Sequence, residues 1–356
     1  MNNKQILVTA ANGNTGFPAS KELLKLGFKV RAFVRNPNNK KAQELKRLGA
    51  EIFVGDIQDI RDVRKSLENI ESAYFVPTYP NVLFQGSTFA TAVEEMETKN
   101  VVVLTQWLSS NSHPSVYTKE HWLVDQAFKR LENTNVVFVN PGLFAFVYFM
   151  MPEPMLQFGM MPNFGTNAPP SNEDIGLTVA HILKNTEPHI GKTYRVTSRE
   201  LLTPQEMADI VGKVVGRKIK ANILPENMML KMLRSYGFPQ RDASQVIYYV
   251  KDGHNGGFEQ NAPSTTVQDI VGKPADDFET ITRRYLKEKP MVKQSFLNKL
   301  RTMKIMVKAI LTKKWNMTEF EKNQGFPIFK NMILSNNSEE WKSEHYSTGY
   351  NNVYKP

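Results

Sequence analysis

The chain has 356 residues, 41% hydrophobic and 22% charged, enough to bury a core as one large domain or two unequal ones; this balance excludes disordered and fibrous classes. With no cysteine there is no disulfide framework, thiolate nucleophile or cysteine metal site, a composition that fits a reducing, cytoplasmic setting. The net charge of +10 is uneven: after Leu286 there are 13 Lys/Arg against 6 Asp/Glu, and before it 32 against 29, so the basic excess sits in a C-terminal tail and no nucleic-acid-binding core is expected.

The opening "MNNKQILVTAANG" has an apolar run too short for a signal-peptide core and reads as a first strand. The longest apolar run, Leu143 to Met151, is far short of the roughly 20 residues that span a bilayer, so no transmembrane segment is expected. After the first strand, "AANGNTG" makes a tight turn from Ala10 to Gly16, and a helix follows that stops at Gly27. This strand, turn and helix are the context of a dinucleotide-binding loop, in which Gly13 admits the pyrophosphate to the backbone and Gly16 lets the helix pack on the strand. Ala10 replaces the usual first glycine, a tolerable change if its φ stays negative. The same glycines also serve a turn that only links strand to helix.

The second strand, "KVRAFVRNP", ends in Arg35, where an NAD-binding unit carries an acidic residue for the ribose hydroxyls. A guanidinium suits the extra 2′-phosphate of NADP, so NADP(H) is favoured. Arg31 and Lys40 either assist or are surface charges. Asp56, in "VGDIQD", either accepts from the adenine amino group or caps the helix that starts near Asp59.

Seven short runs, "QILVTA", "KVRAFV", "EIFVG", "SAYFV", "VVVLT", "VVFVN" and "TYRVT", alternate with helical patterns, which predicts an α/β fold with a doubly wound parallel sheet of the Rossmann type. Gly27 and Gly49 stand where helices stop. The pattern breaks at 152–171, a Pro-, Gly- and Met-rich insertion. We divide the chain into a core at about 1–150 and 172–198, a smaller substrate-side subdomain at about 151–171 and 199–286, and a basic extension at 287–356. "TPQE" at Thr203 to Glu206 is a capping box opening a helix towards Val215, and "KIKANIL" reads as a strand. Met150, Met151, Phe158, Met160, Met161 and Phe164 form either an adaptable wall for a flat substrate or ordinary core.

In the extension, "SFLNKLRTMKIMVKAILTKKW" sets Phe296, Leu297, Leu300, Met303, Val307, Ile310 and Leu311 on one helical stripe, with Lys and Arg over much of the rest. Residues 295–315 either contact an anionic membrane or an acidic partner, or dock on the protein's own lobe with the lysines facing water. The final "SNNSEEWKSEHYSTGYNNVYKP" is either flexible or wraps the core. The six histidines have no metal-ligand spacing, and no GxSxG elbow or Walker loop occurs.

The segments "AANGNTG", "FVRNP", "VVFVNPGLFA", "NAPPSNEDI" and "GKPADDFETITRRY", in that order between about Lys4 and Leu286, resemble the NmrA-like family, atypical members of the short-chain dehydrogenase/reductase superfamily. The resemblance implies NADP(H) across the strand ends, held by Asn12, Gly13, Asn14, Thr15, Gly16, Arg35, Asp56, Pro77, Pro141 and Gly142. Standard reductases of that superfamily place a lysine four residues after a catalytic tyrosine. Here Tyr117 is followed by His121, and the one match, Tyr285 with Lys289, lies near the final helix outside the core. By resemblance to lysine-centred NmrA-like reductases, Lys119 would bind ribose or polarise a carbonyl and His121 would donate a proton, although a solvated Lys119 and a hydrogen-bonded His121 are equally compatible. Thr105 and Ser109 either meet substrate or cap a turn. The expected function is an NADP(H)-dependent oxidoreductase acting on a small carbonyl, quinone or enone, or a non-catalytic NADP(H)-binding redox sensor.

Overall fold

The computed structural model describes residues 4–287, 289–327 and 329–345, and the backbone of 351–353. Its first half alternates regularly: β1 (Gln5–Val8), α1 (Gly16–Lys25), β2 (Lys29–Val34), α2 (Lys40–Arg47), β3 (Glu51–Val54), α3 (Ile60–Leu67), β4 (Ser72–Phe75), α4 (Val82–Glu95), β5 (Asn100–Leu104), α5 (Val116–Lys129) and β6 (Asn135–Val139). After these come α6 (Glu153–Phe158), β7 (Met160–Pro162), α7 (Asn172–Lys184), β8 (Lys192–Tyr194), α8 (Pro204–Val215), β9 (Lys220–Asn222), α9 (Glu226–Ser235), α10 (Gln240–His254), α11 (Thr266–Val271) and α12 (Phe278–Leu286). The extension adds α13 (Phe296–Leu311), α14 (Met317–Asn323), α15 (Glu339–His345) and β10 (Asn351–Val353).

Strand order across the main sheet is β3-β2-β1-β4-β5-β6-β8, all parallel, with β10 antiparallel on β8. Both faces are buried, as a parallel sheet requires. Ile6, Val8, Val30, Ala32 and Val34 enter the core on one face, while Leu7 and Phe33 enter the other. Gly27 and Gly49 end their helices with φ of 85° and 99°, a backbone that favours glycine. Close packing selects two further glycines: a Cβ at Gly176 of α7 would come within 2.6 Å of the Ala19 nitrogen of α1, and one at Gly86 of α4 within 2.3 Å of Val124 on α5.

The insertion at 152–171 is structured, because α6 fills it and β7 pairs in parallel with β9, the strand expected in "KIKANIL". The capping box at Thr203 and Glu206 is formed, and α8 runs to Val215 before Gly216 turns it left-handed. The methionine-rich stripe divides: Met161 is buried in the lobe core, Met151 and Phe164 pack partly against inner residues, and Met150, Phe158 and Met160 are exposed. The lobe core also takes in the extension, since Trp341 of α15 lies with Trp107, Phe278 and Ile281. The last stretch therefore wraps the core as far as His345; residues 346–350 and 354–356 lie outside the described residues. Among the described residues no helix is long and apolar enough to cross a membrane.

Candidate functional site

The strand order reverses between β1 and β4, and the loops at the carboxyl ends of these strands line the crevice where doubly wound folds bind ligands. Thr9 staples the two strands together at this point: its N–H donates to the Tyr74 carbonyl at 3.0 Å and its Oγ1 accepts from the Val76 N–H at 2.7 Å. The Ala11 N–H donates to the Phe33 carbonyl at 3.2 Å, tying the glycine loop to β2. Ala10 does not keep a negative φ; it sits at 45°, and its carbonyl accepts from the Gly13 N–H at 2.7 Å. The compact turn imposes this left-handed backbone on a residue with a Cβ, at about 1–2 kcal/mol. A Cβ on Gly16 would lie 2.4 Å from the Ala10 carbonyl oxygen, so that glycine is required by the same turn. Thr15 precedes α1 without a side-chain cap; the Phe17 N–H donates to the Gly13 carbonyl at 3.3 Å and Pro18 has no N–H, so the helix start offers the crevice the Gly16 N–H, beside Asn12, Gly13 and Asn14.

Arg35 is exposed just beyond β2, and among the described residues no carboxylate pairs with it. Arg31 is different: it pairs with Glu51 at 2.9 Å and donates to the Ser66 and Glu68 carbonyls, so it clamps β2 to β3 and α3. Lys40 is exposed at the first turn of α2, whose cap is Asn39. Asp56 does not cap α3. Asp59 caps it through the Arg61 N–H, and Asp56 Oδ1 accepts from the Gln58 N–H at 3.0 Å within the preceding bend.

Pro77 lies in the loop after β4, and this loop is pinned by Gln85, which accepts from the Thr78 N–H at 2.9 Å and donates to the Thr78 carbonyl at 2.8 Å. Pro141 and Gly142 follow β6, and a Cβ on Gly142 would meet the Arg195 guanidinium at 2.6 Å, itself 3.9 Å over the Trp107 ring. Between these loops stands a residue with no sequence motif to announce it, Tyr79. Its ring stacks on Tyr117 at 4.4 Å, and its hydroxyl meets His121 Nε2 at 3.3 Å, Gln106 Nε2 at 3.4 Å and the Tyr249 hydroxyl. Burial depresses the pKa of His121 to about 3, so the imidazole is neutral. Its Nδ1 is buried with no hydrogen-bond partner among the described residues. An unpaired buried N–H costs more than an unused lone pair, which assigns the hydrogen to Nε2 and points it at Tyr79. Tyr79 thus receives donors from His121 and Gln106 on its oxygen, while its residue surface is 48% exposed.

Of the helix residues in "YTKEH", Tyr117 and His121 share the face towards Tyr79, and Lys119 is sent away from it. Tyr117 donates to Asp242 Oδ1 of α10 at 2.6 Å, and burial raises its pKa. Lys119 and His121, two residues apart on α5, point in different directions. The Lys119 ammonium donates to the Pro327 carbonyl at 3.1 Å, near Met332 Sδ and 5.2 Å from the Phe329 ring, and burial lowers its pKa. Thr105 and Ser109 both donate to Asp125 Oδ2, at 2.7 and 2.8 Å, so their hydroxyls turn into α5. The apparent pair Tyr285 and Lys289 is structural on the tyrosine side, which accepts from Asn172 and stacks on Phe149 at 5.2 Å.

Burial raises the pKa of Asp125 from 3.8 to about 7. Its contribution to stability is complete below 3.8 and is lost as pH rises through about 7, whereas the depressed His121 contributes above 6.5 and loses this as pH falls through about 3. The two opposing slopes overlap. Asp125→Asn removes the falling one, so its urea midpoint is expected to gain on that of the parent between about pH 5 and about pH 7. A constant difference between the two chains over that range would contradict the assignment.

A doubly wound parallel sheet with a glycine turn at its switch point defines the Rossmann-type class. A model of the NmrA-like family matches residues 2–268, and the chain belongs to that family. It is similar to an NmrA-like family domain-containing protein of Dictyostelium discoideum, 25% identical over 269 residues, or 66% of this chain and 88% of that protein. Its fold is also that of the NADPH-dependent quinone oxidoreductase QOR2 of Escherichia coli, solved with NADPH (TM-score 0.69, 20% identity, 79% of this chain and 100% of that one). The negative transcriptional regulator NmrA, solved with NADP, is similar over 94% of this chain and 100% of its own at 14% identity and a TM-score of 0.62.

Proposed function

We propose that this chain binds NADP(H) and reduces a small carbonyl, quinone or enone, with Tyr79 as the proton donor. The observation that carries the reading is the Tyr79 hydroxyl, positioned by donors from His121 and Gln106 beside the ends of β4 and β5. The Asn12–Gly16 turn, ending in the Gly16 N–H at the start of α1, would hold the pyrophosphate, Arg35 the 2′-phosphate, and Asp56, Pro77, Pro141 and Gly142 the rest of the dinucleotide. NADPH supplies the hydride. Tyr79 delivers its proton to the oxygen that gains negative charge, and the neutral His121 N–H steadies the phenolic oxygen left behind. Tyr117 supports the Tyr79 ring from below.

Arg35→Ala is expected to weaken NADPH binding about 10- to 100-fold, by loss of hydrogen bonds to a charged group, and to leave NADH affinity unchanged by calorimetry. The test of the reaction is NADPH consumption, followed by absorbance, on a panel of quinones, enones and aldehydes. A second reading, a redox sensor without turnover, draws support from Lys119, whose ammonium is occupied by Pro327, Phe329 and Met332, and from the regulator's likeness reaching into the extension. Tight NADPH binding with no consumption on any member of the panel would decide for the sensor.

A further inference from the structure

Helix α13 is turned the opposite way from an ordinary docked helix. The face it buries against α9 and α6 is built from Asn298, Thr302, Ile305 and Ala309, with Thr302 and Ala309 fully covered. The face it shows to solvent is apolar: Phe296 and Leu311 are each 79% exposed and Val307 47%, with Leu300, Met303 and Ile310 along the same stripe. A surface helix normally buries such a stripe, and a continuous apolar strip left outside marks a contact with something else. Leu300, Met303, Val307 and Leu311 line a shallow depression rimmed by Lys304 and Lys308.

Charge selects the occupant. At about 100° per residue, Arg301, Lys304 and Lys308 border one side of the stripe and Lys299 the other. The helix carries no acidic residue, and Lys313 and Lys314 follow directly. Lysine stems can lie along the apolar boundary and lift their ammonium groups to phosphate level, the arrangement of an interfacial helix. A second copy of the chain fits less well, because a two-fold contact through the stripe would bring the flanking lysines of the two copies together. Lys231 and Arg234 of α9 donate to the Ile310 and Lys313 carbonyls, so the helix is held rigidly in this orientation.

We propose that α13 is a peripheral membrane-docking surface, seating its apolar stripe in an anionic lipid bilayer with Lys299, Arg301 and Lys304 at the headgroups, while Lys308 is held back on α9 by the Ser235 carbonyl at 2.9 Å. The test uses the full chain in vesicle sedimentation, with phosphatidylcholine alone and with about one-third phosphatidylserine. At least about tenfold stronger binding to the anionic vesicles, weakened in high salt, is expected. Val307→Glu and the pair Lys299→Glu with Lys304→Glu should each lower it about tenfold with unchanged thermal melting, because these side chains are exposed. No binding, equal binding to both vesicles, or binding that survives both variants would overturn the proposal. So would self-association in solution that Val307→Glu abolishes, since the stripe would then be a contact between copies.

Discussion

Tyr79→Phe is expected to lower kcat for quinone or enone reduction about 10²- to 10³-fold and to leave the NADPH dissociation constant unchanged, the size of effect a positioned general acid contributes. The substitution removes one oxygen and keeps the ring that stacks on Tyr117 at 4.4 Å, so the loop geometry should persist. Burial raises the pKa of Tyr79, and the phenol therefore stays protonated at neutral pH. His121→Ala should produce a smaller loss in kcat, because His121 orients Tyr79 and its own pKa, about 3, leaves it no proton to give at neutral pH. Equal kcat in Tyr79→Phe and the parent chain would move the proton transfer elsewhere.

Trp341→Ala is expected to cost about 3–5 kcal/mol of stability, the range for truncating a large buried aromatic. The side chain is 1% exposed, crosses the Trp107 ring at 5.5 Å, stacks on His345 at 4.6 Å and donates from Nε1 to the Trp107 carbonyl at 3.0 Å. Denaturant melts of the full chain give the value. Trp341→Phe, which keeps most of the ring volume and loses the N–H bond, should cost only about 1–3 kcal/mol. A loss below about 1 kcal/mol in Trp341→Ala would mean that the extension contributes little to the core. The segment bearing Trp341 is also linked to the crevice loops, since the Ile333 N–H donates to the Ser112 carbonyl and Ser335 bonds to both Asp252 and Leu108. Damage at Trp341 should therefore loosen the loop after β5 as well.

Sequence alone determined the parts of this protein that depend on neighbours along the chain. Apolar residues of β1 and β2 alternate towards two cores, glycines end the helices where φ turns positive, and Thr203 and Glu206 close their box within one turn, so strand, helix and turn were all legible in the residues. The class of fold and the place of the glycine loop follow from that local order. The strand inside the insertion is not legible in its residues, because β7 gains its partner from β9, about 60 residues on, and a three-residue strand has no period of its own.

Only the tertiary structure decided what distant segments do to one another. It put Ala10 at φ 45° because the turn closes on Gly13 and Gly16, sent Lys119 towards Pro327 and His121 towards Tyr79, and drew Thr105 and Ser109 to Asp125. For α13, periodicity showed a stripe but not which way it turned. A helix's apolar pattern is a property of its own residues, whereas the face it buries is set by the surfaces that fold against it, here α9 and α6.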